Sequence, residues 1–257
     1  MKIYVCVKHV PDSAATIKVV GGKSIDTAIT FLVNPYDEHA LTEAARIAKE
    51  SAGAEIVAVC VGPPEAENTL RSALAMGADR AILVSVSADG STDSITTARA
   101  LEAAISGDGS PDLILTGKEA IDTEGGQTMF RLAHRLALPA VTNVVRIKVA
   151  EDHILTTCEK EGGAREVLRL SRPCVLAAGK GLNTPKYPTF PDIIKARKKT
   201  IKTVPLETLD LAPSTGGIEI EGLEPAEEKR TPKAITGDAA QIAAELVRIL
   251  REEAKVI

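Results

Sequence analysis

Asp112-Leu113-Ile114-Leu115-Thr116-Gly117-Lys118-Glu119-Ala120-Ile121-Asp122-Thr123-Glu124-Gly125-Gly126-Gln127-Thr128 is the stretch that decides the fold. Its first five residues read as a short buried strand, the middle as a polar loop, and the glycine pair as the entry to a helix from about Gly126 to Leu136. In an open α/β sheet, ligands bind outside the carboxyl ends of the strands, where the free N–H groups of a helix start hold phosphate. Gly125 and Gly126 permit close backbone approach, while Gln127 and Thr128 supply side-chain donors. The segment matches neither the dinucleotide fingerprint nor the Walker loop, so a glycine-rich turn with a helix cap explains it equally well by itself.

Upstream, apolar β-branched runs alternate with helix-period segments, the signature of parallel strands joined by crossover helices. Strands fall at Ile3–Lys8, Glu55–Val61 and Arg80–Val86. Asp37–Ser51 carries Leu41, Ala44, Ala45 and Ala48 on one face, and Glu65–Met76 carries Ala66, Leu70, Ala73 and Leu74. Gly77 suits a left-handed helix end, and Thr92–Ile105 is a third amphipathic helix. Downstream, short strands at Val144–Val149, Ile154–Glu159 and Glu166–Leu170 predict an antiparallel extension. Pro173–Ala178 returns to the main sheet before a loop from Gly179 to about Pro191. The fold expected is therefore an open parallel α/β sheet with helices on both faces and an antiparallel extension, over residues 1–201. Residues 202–257 form a polar arm punctuated by Pro205, Pro213, Gly216, Gly217, Gly222, Pro225 and Pro232. The arm ends in a one-sided helix, Asp238–Ala254, which needs cover from this sheet or from a partner.

The chain's 257 residues suffice for one large core. A net charge of −4, 2% aromatics and no tryptophan exclude a general nucleic-acid binder, which needs a basic footprint and stacking platforms. Met1 to Val7 holds one charge and too short an apolar run for a membrane span or signal peptide, so no membrane insertion and a cytoplasmic location are expected. Cys6, Cys60, Cys158 and Cys174 are widely spaced and sit mostly in strand-like runs, which predicts buried reduced thiols. His9, His39, His134 and His153 are equally scattered, with no metal-ligand or nucleophile spacing.

Two further segments carry chemistry. Asn34-Pro35-Tyr36-Asp37 precedes a helix, with Asn34 placed to cap it and Pro35 suited to its first position. Capping alone accounts for this segment unless it lies beside the first strand end, where it becomes a wall of the same crevice. Asn183 to Lys199 sets Tyr187 and Phe190 among prolines 185, 188 and 191, which stiffen the loop and lower its ordering cost on binding. A phenylalanine there is either buried to pin the loop or exposed to dock a partner, and the basic run after it reads as a solvated helix face.

Taken together, these segments resemble electron-transfer flavoprotein β subunits across nearly the whole chain. The motifs are Val5 to Asp12, Asn34-Pro35, Ala73 to Asp79, Gly117 to Thr128, and Tyr187 to Lys199. The resemblance implies an electron-carrier subunit rather than an enzyme, paired with an α subunit that holds most of the FAD. It implies an adenine-nucleotide-binding fold with AMP as a structural element and an arm embracing the α subunit. AMP contacts would fall on Cys6, on Asn34, Pro35, Tyr36 and Asp37, on Val61, and on Gly117, Lys118, Ala120, Ile121, Asp122, Gly125, Gly126, Gln127 and Thr128. The recognition loop for acyl-CoA dehydrogenases would span 183–199, through Tyr187, Pro188, Thr189, Phe190, Pro191, Ile193 and Lys195. Phe190 stands where leucine is usual. Electrons would pass on toward the respiratory chain through a quinone oxidoreductase. Ser13-Ala14-Ala15 stands where some members carry an aromatic, so the resemblance gives no flavin contact there. Two other readings compete: a flavin-bifurcating β subunit with a second FAD in the AMP site, and a stand-alone stress-type ATP-binding or nucleotide-hydrolysing protein. The latter lacks a P-loop lysine followed by Ser or Thr, leaving only Asp122 and Glu124 as acidic candidates beside a phosphate.

Overall fold

The computed structural model describes residues 1–51, 53–87, 92–209, 211, 220–226 and 232–257. In chain order the strands are β1 (Lys2–Cys6), β2 (His9–Pro11), β3 (Val19–Val20), β4 (Ser24–Ile25), β5 (Phe31–Val33), β6 (Glu55–Gly62), β7 (Arg80–Ser85), β8 (Leu113–Gly117), β9 (Ala140–Val149), β10 (His153–Glu159), β11 (Arg165–Ser171), β12 (Val175–Ala178) and β13 (Ile201–Pro205). The helices are α1 (Pro35–Glu50), α2 (Glu67–Met76), α3 (Ser94–Asp108), α4 (Thr128–Arg135), α5 (Phe190–Ala196) and α6 (Ala239–Arg248).

Among the described residues, one sheet of nine strands runs β11-β10-β9-β12-β8-β1-β6-β7-β13. All its neighbours from β9 to β13 pair in parallel, and β10 and β11 add the expected antiparallel edge. Strand periodicity divides the core. Ile3, Val5 and Val7 face one side with the apolar residues of α1 and α2, while Tyr4 and Cys6 face the other with those of α3 and α4. Every residue of β8 is buried, because a central parallel strand is covered on both faces. The helix faces pack largely as the sequence predicts: α1 buries Ala40, Leu41, Ala44 and Ile47, and α3 buries Ala98, Leu101 and Ile105. Gly77 ends α2 at φ 132°.

Three expectations change. Strand β13 runs from Ile201 into the segment read as arm and pairs with β7, after which Leu206, Leu209 and Leu211 pack on the core. The chain therefore leaves the sheet later than residue 202. Its alternation is weak because an edge strand half-buries only Ile201 and Val204 and leaves Lys202 and Thr203 in water. Phe190 opens helix α5 instead of lying in an irregular loop, since Thr189 and Asp192 close a capping box around its first turn. Asn34 sits at the start of α1 without capping it through its side chain, which is used elsewhere as described below.

Helix α6, capped by Asp238, continues into a wider turn over Ile249–Glu253, and none of its residues is buried. Residues 212–219 and 227–231 of the arm, with Pro213, Gly216 and Gly217, lie outside the described residues. Among those described, no helix is long and apolar enough to cross a membrane, and all four cysteines are buried and free.

Candidate functional site

The chain runs from β1 to β6 and β7 on one side, then returns to β8 on the other side of β1. That reversal opens a crevice at the carboxyl ends of β1 and β8, the place where open α/β sheets bind ligands. A cleft of about 420 Å³ occupies it. Cys6, Val7 and Lys8 line it from the end of β1, Val61 from β6, and Thr116 and Gly117 from β8.

The floor is built on one carboxylate. Asp37, in the first turn of α1, accepts N–H bonds from Lys8 at 2.8 Å and from Gly117 at 2.8 Å, so it ties α1 to the ends of β1 and β8. Burial pushes its carboxyl up to about 7, against the lowering effect of those two bonds, of Asn34 and of the Lys8 charge. Gly117 has to be glycine here. A Cβ would overlap Asp37 Oδ1 and stand 2.7 Å from Tyr36 Cβ and 3.0 Å from the Asp37 nitrogen. Asn34 is buried: its Nδ2 donates to the Glu119 carbonyl at 2.9 Å and its Oδ1 accepts from Ile121 N–H at 3.1 Å. It thus fastens the 117–128 loop to the start of α1, and through Asn34 and Asp37 this turn becomes part of the crevice lining.

The mouth is polar, and its lysines are engaged. Lys8 Nζ lies 2.7 Å from both oxygens of Asp122, while Lys118 Nζ pairs with Glu119 at 2.9 Å and sits 5.1 Å from the centre of the Tyr36 ring. The open donors are on the backbone. Helix α4 begins without a side-chain cap, which leaves the N–H groups of its first turn without a side-chain partner, and Gln127, Thr128 and Met129 at that start line the cleft. Gln127 holds Arg131 Nη2 through its amide oxygen at 2.6 Å, a bond that leaves its NH2 end unused. Nothing lies within 4 Å of a Cβ built on Gly125, and Gly126 adopts φ 57°. An uncapped helix start behind two glycines suits a phosphate, and the apolar cleft between Cys6, Val61 and Leu101 suits a nucleoside.

Most of the residues expected in a nucleotide site come together. Cys6, Asn34, Asp37, Val61, Gly117, Lys118, Ala120 and Gly125 to Thr128 line the cleft. Pro35, Tyr36, Ile121 and Asp122 do not line it but brace those that do: Pro35 occupies the first turn of α1, Tyr36 carries Lys118, Ile121 binds Asn34, and Asp122 holds Lys8. Sequence reasoning missed Lys8 and the start of α3, where Thr92, Asp93, Ser94 and Thr97 form the opposite wall. Asp93 caps that helix by accepting from Thr96 N–H at 2.7 Å. A second strand-to-helix junction, with Asp93-Ser94 as its cap, was the available signal.

The segment expected to dock a partner lies elsewhere, on the outside of α1 and α2. Tyr187 and Phe190 are 76% and 75% exposed, which rules out the reading in which Phe190 is buried to pin the loop. Ile193 and Ile194 are exposed beside them. The basic run is not uniformly solvated, because Lys199 Nζ donates to the carbonyls of Leu74 at 3.0 Å and Ala78 at 2.6 Å.

Comparison with known proteins agrees with this architecture. Residues 24–209 match the family model described as the electron transfer flavoprotein domain. The chain is 36% identical over 259 residues to the electron transfer flavoprotein subunit beta of Bacillus subtilis, with both chains fully covered. It is 36% identical over 260 residues to the mitochondrial electron transfer flavoprotein subunit beta of Oryza sativa subsp. japonica, again across the whole of both. Identity is 34% over 260 residues to the caffeyl-CoA reductase-Etf complex subunit CarD of Acetobacterium woodii, covering 98% of this chain and 99% of that one. Matching in the family domain and, over their full length, in sequence, the chain belongs to the electron transfer flavoprotein family as a β subunit.

Proposed function

We propose that this β subunit pairs with an α subunit holding most of one FAD, binds AMP in the β1/β8 crevice, and receives electrons from acyl-CoA dehydrogenases that dock on α5. The electrons then leave toward a quinone oxidoreductase of the respiratory chain. The single observation that carries the nucleotide assignment is the uncapped start of α4 facing the crevice behind Gly125 and Gly126. In this reading the first-turn N–H groups of α4 and the Thr128 side chain hold the phosphate, while Asp37 and Asn34 fix the loop that presents them. AMP there is structural, since a nucleotide that binds only the folded chain stabilises it by mass action. The flavin, when bound, supplies the electron-accepting ring; this chain's part is to complete the heterodimer and to seat the donor. The four reduced, buried cysteines support a reducing compartment, in our reading the cytoplasm.

Docking rests on the exposed apolar face of α5. Phe190 presents a large apolar area on a helix already capped, so little entropy is lost when a partner covers it. Covering such a side chain is worth roughly 1.5–3 kcal/mol, so Phe190→Ala should weaken dehydrogenase binding about ten- to a hundredfold. FAD content and melting temperature should stay at parental values. Lys195, Arg197 and Lys198 steer acidic partners, and their loss should slow association; Lys199 is held by α2 and takes no part in steering. The test is the rate of flavin reduction by a substrate-reduced acyl-CoA dehydrogenase as a function of flavoprotein concentration. An unchanged half-saturation point for Phe190→Ala would remove α5 from the docking surface.

A further inference from the structure

Helix α5 has seven residues, too few to persist without external support. Its first turn is closed locally by the capping box of Thr189 and Asp192. Its last turn is closed from a distance. Arg71 of α2 directs Nη1 at the carbonyls of Ala196 at 3.2 Å, Arg197 at 3.4 Å and Lys199 at 2.8 Å. Glu67, one turn back on α2, holds the same guanidinium at 2.9 Å from Nη2 and 3.3 Å from Nε. The contact is returned by Lys199, whose ammonium caps the carbonyls of Leu74 and Ala78 at the end of α2. The carboxyl end of α5, where carbonyls lack partners and the dipole is negative, is thus held by a cation of α2, and that of α2 by Lys199 from the turn that follows α5.

We propose that Arg71 and Lys199 are positioning residues for dehydrogenase docking: this reciprocal clasp orders α5 before the partner arrives and so aims Phe190, Ile193 and Ile194 at an apolar pocket on that partner. The inference rests on the docking role proposed above for α5. Neither cation touches the partner. Ala196, 2% exposed, is the pivot by which α5 enters the core, and the clasp lies beside it, at the opposite end of the helix from Phe190. Losing the clasp frees the last turn, and with it the direction of the exposed face.

The experiment uses the heterodimer with its α subunit and four variants: Arg71→Met, Lys199→Met, Phe190→Ala, and Phe190→Ala combined with Arg71→Met. Methionine keeps an aliphatic stem while removing the charge. Arg71→Met should raise the KM for the flavoprotein in the dehydrogenase reaction about tenfold through lost pre-organisation, with kcat and FAD content unchanged. Trypsin should cut faster after Arg197 and Lys198. In the Phe190→Ala background the same substitution should change KM by less than about twofold, because residues acting through one contact are not additive. Equal effects in both backgrounds would make Arg71 a general structural residue and overturn the proposal, as would an unchanged KM where Phe190→Ala alone raises it. Phe190→Ala without effect would overturn the docking role itself and this inference with it. Should Arg71→Met fail to assemble, Lys199→Met makes the same test from the other side of the clasp.

Discussion

Gly117→Ala should lower the melting temperature by roughly 5–20 °C and empty the crevice of nucleotide. The added methyl has no room, because α1 approaches the end of β8 so closely that a Cβ would overlap Asp37 Oδ1 and crowd the backbone nitrogen behind it. Backbone cannot swing aside as a long side chain can. Overpacking of this kind costs about 1–3 kcal/mol. The displaced carboxylate would also lose its hold on the Gly117 N–H, and a buried donor left unsatisfied costs a further ~1–3 kcal/mol. At roughly 2–4 °C per kcal/mol for a domain of this size, the shift follows. Gly125→Ala is the control: its Cβ meets nothing within 4 Å, so its effect should stay within about 0.5 kcal/mol. Differential scanning calorimetry of the two variants separates the close approach at Gly117 from any general need for glycine in the loop. Equal melting temperatures would contradict it.

Asp37 makes stability depend on pH in the sense opposite to most carboxylates. Burial raises its folded-state pKa from 3.8 to about 7, so the folded chain keeps the proton over a range where the unfolded chain has lost it. The stabilising contribution is therefore fully present below about pH 4 and disappears as pH rises through 7. Between pH 5 and 7 the parent should lose about 2 kcal/mol relative to Asp37→Asn, which has no proton to lose. Asp37→Ala should be worse than either at every pH. It strands the N–H groups of Lys8 and Gly117, at about 1–3 kcal/mol each. Denaturant melts of the three proteins at pH 5, 6 and 7 give the comparison. Parallel pH profiles for parent and Asp37→Asn would show that the carboxyl is already ionised across this range.

The parts of the fold that were legible in the sequence are those whose burial is periodic and local. Leu113-Ile114-Leu115 reads as a central strand because it is an unbroken apolar run, and α1 reads as a helix because Leu41, Ala44, Ala45 and Ala48 share one face. What escaped depends on residues far apart in the chain. Helix α5 carries a proline at its second position and ends on carbonyls that Arg71 satisfies from more than a hundred residues away, so nothing in its own stretch marks where it stops. Strand β13 sits at an edge with the neighbouring Lys202 and Thr203 both in water, which breaks the alternation. Asn34 has a capping residue's position and chemistry, yet its side chain is drawn off by the loop at Glu119 and Ile121, a competition visible only in three dimensions.

The site divides in the same way. The Gly117 to Thr128 loop and the Asn34 turn could be found because each is a strand-to-helix junction with small or capping residues. Lys8 could not, since one lysine after a strand carries no pattern; its meaning comes from Asp122, which the fold brings to 2.7 Å. Thr97 and its neighbours belong to a different strand-helix unit and reach the crevice only because the chain reverses direction about β1.

In the function proposed above, this crevice holds one AMP, seated by its phosphate at the start of α4. The most direct measurement is mass spectrometry of the nucleotides released when the purified heterodimer is denatured, comparing the parent with Gly126→Val. Valine at φ 57° forces a left-handed conformation that costs a residue bearing a Cβ roughly 1–2 kcal/mol, and it distorts the turn that presents the α4 N–H groups. The parent should release one AMP and one FAD per heterodimer, and Gly126→Val should retain FAD while losing AMP. Two FAD per parent heterodimer, ATP-derived products, or full AMP content in Gly126→Val would contradict the account.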